Sequence, residues 1–134
     1  MPKSWTEKLN VNKDPKVIRM EESFSDIPAD SMMLVATPAL VDDYIRKIPK
    51  GKIVDMKTLR KDLAADFHAD NSCPLSTAIF VRIAAEAAFE QFSSGKKPEE
   101  ITPFWRVIQP GSKMASKLTF GEDFLKKQIK AELA

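Results

Sequence analysis

The 134-residue chain has one cysteine, one histidine, one tyrosine and four glycines. A single cysteine, Cys73, excludes an internal disulfide framework and fits a reducing compartment. A single histidine, His68, rules out any multi-histidine metal site, and the pair is too sparse for structural zinc. No metal or cofactor is therefore expected. Neither a dinucleotide fingerprint, a P-loop nor a nucleophile-elbow motif occurs among so few glycines. No apolar run reaches the ~18 residues of a membrane span, and the opening MPKSWTEKLN has no apolar signal core. A cytoplasmic protein without membrane contact is expected.

What is present is enough apolar residue, 43%, for a core, and a net charge of only +2. With total charge nearly balanced, distribution has to identify a partner. Residues 46–61 are the uneven stretch: Arg46, Lys47, Lys50, Lys52, Lys57, Arg60 and Lys61 face the single acid Asp55. A basic turn leading into a helix suits a phosphate backbone, because each neutralised phosphate releases counterions. A lysine-rich solvated surface reads the same way. Lys126, Lys127 and Lys130 fit solvation and the dipole of a last helix.

Residues 74–92, PLSTAIFVRIAAEAAFEQF, organise the rest. At helical spacing Phe80, Val81, Ala84, Ala85, Ala87, Ala88, Phe89 and Phe92 fill a broad arc, which predicts a central helix buried from several sides. Arg82, Glu86 and Glu90 gather on the remainder as a solvated stripe. Ser72 is the expected cap and Pro74 suits a first turn. Ahead of it, Thr37-Pro38 opens a helix over residues 38–47 and Asp55 caps another over 56–67, with Met56, Leu59, Leu63 and Phe67 inward. Residues 31–36 form a strand or an extended lead-in. Residues 1–30 read as a mostly irregular arm with a helical turn near 4–9, and residues 31–134 as the domain.

Helix, turn, helix, turn, longer helix is the order of a helix-turn-helix module, with residues 74–92 as the recognition helix. A β-prone run at 101–108 and a return at 114–118 form the expected wing. The chain closes on a helix over about 120–133, with Thr119 and Glu122 as its capping box. Cys73 at a helix start, with His68 as base, is the one conceivable nucleophile; a small buried helix-start residue is the plainer reading.

Two fragments add a family resemblance. RKIPKGKIVDMKTL (46–59) resembles the segment opening the DNA-binding half of the alkylguanine–DNA alkyltransferases, where an IPxGxV turn follows a helix. PFWRVI (103–108) resembles that family's active-site run, Pro-Cys-His-Arg-Val-Val, and order and spacing match from residue 38 to 132. The resemblance implies a mainly α, winged helix-turn-helix domain of the alkyltransferase type with a short β wing. Family members bind DNA through the minor groove, flip an alkylated guanine and transfer its alkyl group to cysteine. Alkyltransferase-like relatives carry Trp instead of that cysteine and recognise the lesion without repairing it.

At the acceptor position this chain has Phe104, and at the adjacent histidine Trp105, so the transfer cannot run. Met56 replaces the base-rotating tyrosine and Thr77 the arginine finger, with Arg82 five residues on; Glu132 matches the last-helix glutamate. The implied function is a non-catalytic alkyltransferase-like protein that binds double-stranded DNA and reads modified bases in repair. Lys47, Lys50, Lys52, Lys57 and Arg60 would hold phosphates, Ser76, Thr77 and Arg82 would meet the groove, and Phe104, Trp105 and Arg106 would line the pocket. The alternative is a protein-interaction module that kept the fold and lost DNA.

Overall fold

The computed structural model describes residues 4–133. With about 51% helix and one small sheet of three strands, the architecture is mixed α/β with helix dominant, compatible with a mainly α domain. Among the described residues no helix is long and apolar enough to cross a membrane.

Helix α1 (Trp5–Leu9) starts at a capping box between Ser4 and Glu7. Five residues cannot sustain a helix alone. This one is held by the Glu90 carboxylate, which accepts the free N–H groups of Trp5 at 3.2 Å and Thr6 at 3.1 Å. Strand β1 (Lys16–Arg19) pairs antiparallel with β2 (Met32–Val35), Val17 opposite Leu34. The stretch expected as a mostly irregular arm thus supplies a helix and an edge strand. β1 escaped the sequence reading because three of its four side chains are exposed, so it carries no inward alternation.

Helix α2 (Pro38–Arg46) is capped by the Thr37 hydroxyl, and α3 (Met56–Asp66) by the Asp55 carboxylate. The two-residue strand β3 (Asn71–Ser72) then pairs parallel with β2 and makes β2 the middle strand. Helix α4 (Pro74–Ser93) follows. Its cap is Cys73, whose sulfur accepts the Ser76 N–H, and not Ser72, whose hydroxyl is drawn to the Arg60 carbonyl. Val81, Ala84, Ala85 and Ala87 have no exposed surface. Small alanines let neighbouring elements approach α4 closely, and α1, α2, α3 and residues 104–106 all pack on it.

The expected wing does not form. Residues 101–108 contain a 3₁₀ turn, Phe104–Arg106, and residues 114–118 contribute to helix α5 (Lys113–Ser116), capped by Ser112. A strand turns alternate side chains outward. Here Ile101, Thr102, Phe104, Trp105, Val107 and Ile108 are all buried, so the half-exposed alternation of a wing strand is missing. Pro103 also removes one ladder donor. Helix α6 (Asp123–Leu133) closes the chain. Thr119 and Glu122 do not form its capping box: Thr119 donates to Glu86, and Glu122 accepts the Gly111 N–H at 2.6 Å.

Candidate functional site

The basic turn after α2, the run at 103–108 and the end of α6 meet at Arg106. Its Nη1 donates to the Ile48 carbonyl at 2.7 Å and its Nε to Glu132 at 3.0 Å. The Val54 N–H donates to the Arg106 carbonyl at 2.8 Å, and the Gly51 N–H to Glu132 at 3.3 Å. Gly51 sits at φ +85°, which a residue without Cβ adopts freely. Burial is the largest influence on the Glu132 carboxyl and pushes its pKa up. Hydrogen bonds from Arg106 and Gly51, with the Trp105 N–H nearby, outweigh it, so the pKa lies below the ordinary value. The Trp105 contact is loose: its buried Nε1–H makes no hydrogen bond of full geometry, yet its dipole helps keep Glu132 ionised.

Phe104, Trp105 and Arg106, expected as pocket residues, are brought together; Trp105 and Arg106 border a cavity and Phe104 does not. Phe104 is 0% exposed and Trp105 is buried. Phe104 packs against Trp105, Phe120 and Phe124 with ring centroids 5.3, 5.6 and 5.9 Å away. No face of Phe104 is free to stack on a base. That cavity, about 340 Å³, is lined by Lys50, Glu99, Trp105, Arg106 and Glu132 among others.

The candidate DNA contacts divide. Lys47, Lys50, Lys52 and Lys57 are exposed. Each borders carboxylates: Lys47 and Lys52 share a depression with Asp62 and Asp66, Lys57 one with Asp26 and Asp55, and Lys50 faces Glu99 and Glu132. Tyr44 belongs to the first of these; burial foremost, then its hydrogen bond to Asp62, raises its pKa.

Arg60 is not a phosphate ligand. It is buried, forks onto Asp26 at 2.8 and 2.7 Å, and donates through Nε to the Ser72 carbonyl at 3.0 Å. The hydrogen bond from Arg60 is the main reason the Asp26 carboxyl lies below its usual range. Thr77 is not a groove residue, being 0% exposed with its hydroxyl unpartnered. Ser76 is half-buried. Arg82 turns to Glu86, 3.6 Å away, and lies 5.3 Å from the Trp5 ring centroid. Cys73 is buried as a cap, and no group of three potential metal ligands occurs among the described residues.

Sequence reasoning missed Glu86 and Glu90. Both were placed on a solvated stripe, whereas Glu86 is 2% exposed and holds Thr119, and Glu90 caps α1. Their partners lie 33 and 84 residues away in the chain, beyond the reach of any helical spacing rule. Comparison with known proteins adds no assignment: no family model, no curated protein and no solved structure matches this chain.

Proposed function

We propose that this chain is a non-catalytic DNA-binding module of the alkyltransferase-like kind, acting in a cytoplasmic setting, with α3 and α4 as its helix-turn-helix pair. One observation carries the reading. The two fragments behind the family resemblance, far apart in sequence, converge on Arg106 together with Glu132, as related parts of one site would. Phe104 and Trp105 can neither accept an alkyl group nor shuttle a proton, so binding is the whole function. Because both are core residues, the proposal rests on backbone contacts by Lys47, Lys50, Lys52 and Lys57, not on a flipped base.

The test is fluorescence anisotropy across a salt series, with a plain duplex and one carrying a single alkylated guanine. Salt-sensitive binding, equal for both duplexes, is expected. Replacing the four lysines with glutamine should flatten the log–log salt slope by about 3 to 4, at roughly 0.9 per phosphate contact. Absence of binding at low salt overturns the proposal. A protein-interaction module is the second reading, and α4 favours it. The outward side of its first two turns carries Leu75 and Ile79, 61% and 48% exposed, where a DNA groove asks for polar groups.

A further inference from the structure

Leu75 and Ile79 form one wall of a depression of about 320 Å³ between α1, α4 and the α5 region. Ala78, Ile83, Trp5 and Met114 complete its apolar lining. The charged groups around it, Lys8, Arg82 and Lys117, are all cations. No carboxylate lines it among the described residues. The nearby acids are already engaged: Glu86 with Thr119 and, at 3.6 Å, with Arg82, and Glu90 with the start of α1. Lys8 lies over the Trp5 ring at 4.2 Å, and Arg82 donates no hydrogen bond among the described residues although its Nε is buried. The rim therefore holds two cations, Lys8 and Lys117, with no carboxylate partner among the described residues, and a third, Arg82, paired with the buried Glu86, above an apolar floor.

From this we infer that the groove receives an acidic amphipathic helix of a partner protein. Leu75, Ile79 and Ile83 recur every four residues, so the apolar ridge runs ~12 Å along α4 at 1.5 Å per residue. That length fits two to three turns of a partner helix, with apolar side chains at i and i+3 or i+4 in the groove. Carboxylates flanking that stripe meet Lys8 and Lys117, which sets orientation and rejects basic partners. A concave wall receives a ridge better than a flat lipid surface. A second copy of this chain is disfavoured because a two-fold contact brings the same cations face to face.

The full chain is titrated by anisotropy with a fluorescein-labelled helical peptide of about four turns, leucine on one stripe and glutamate on both flanks. Its twin carries lysine in place of every glutamate. The acidic peptide should bind at least about tenfold more tightly than the twin. Leu75→Ser/Ile79→Ser should lose about tenfold or more, and Lys8→Gln/Lys117→Gln should narrow the preference between peptides. Both double variants change surface side chains, so unchanged melting curves certify their folding. Equal affinity for the two peptides, no binding of either, or acidic-peptide binding untouched by Leu75→Ser/Ile79→Ser overturns the proposal. So does binding to phosphatidylserine-containing vesicles without peptide binding, or self-association abolished by that variant. The lysines tested for duplex binding lie on other depressions, so either idea can fail alone.

Discussion

Glu86 holds both donors of Thr119: Oε2 accepts the backbone N–H at 2.9 Å and Oε1 the hydroxyl at 2.6 Å. With Arg82 3.6 Å away, the carboxylate is paired although only 2% of Glu86 is exposed. The contact fixes the turn that delivers Phe120 onto Phe89, stacked at 4.1 Å. Glu86→Ala strands the Thr119 donors and the Arg82 charge and should cost about 3–5 kcal/mol in urea unfolding. Glu86→Gln keeps one acceptor and should cost less, about 1–3 kcal/mol. Equal losses for the two variants would show that the carboxylate's acceptors are not what matters.

Arg106 and Glu132 form the second demanding pair, with side chains 15% and 11% exposed. Removing either partner leaves a charge in a largely dry setting, so Arg106→Ala and Glu132→Ala should each lose about 3–5 kcal/mol. Replacing both, as Arg106→Met with Glu132→Leu, should recover a good part of that loss. A double variant whose loss equals the sum of the single losses would show that the two residues do not interact.

Local signals in the sequence carried the helices: Thr37-Pro38, Asp55 and Pro74 each mark a start that the structure has. The aromatic and alanine content of α4 announced its central place. Elements that exist through distant partners were not legible. β1 has no inward face of its own, and β3 is two residues long. The 101–108 run shows why apolar content alone misleads, since a consecutive apolar stretch fits a buried strand or a buried turn. At the site, burial was the hidden variable. Arg60 and Thr77 looked available because nothing local reveals Asp26 or the packing of α4 against its neighbours.

Phe104→Cys places a thiol in the aromatic cluster around residue 104. The smaller side chain leaves a void among Trp105, Phe120 and Phe124 and should cost about 2–4 kcal/mol, somewhat below the ~3–5 of a Phe→Ala change. Burial raises a thiol pKa, and the Trp105 indole can take no proton from it. In a Cys73→Ser background, iodoacetamide should label the native variant far more slowly than the unfolded chain. Rapid labelling near neutral pH would mean that the position is open and electropositive after all.

The acid response of α1 follows from Glu90. Hydrogen bonds, those from Thr6 first and then from the Trp5 N–H, hold its carboxyl below the ordinary 4.5, with burial opposing them. A carboxyl depressed in the folded state binds more protons when unfolded, so its stabilisation is complete above about 4.5. It is lost as pH falls through the lower folded value. Protonated Glu90 is a poorer acceptor for the α1 N–H groups, and five residues do not hold together alone. Trp5 emission should therefore shift on acidification before global unfolding. Glu90→Gln should remove that early step and cost about 1 kcal/mol at neutral pH, the scale of a lost helix cap. Trp5→Phe assigns the signal, since Trp105 alone should then report only global unfolding. An early step that keeps its midpoint in Glu90→Gln would mean that another carboxyl governs α1.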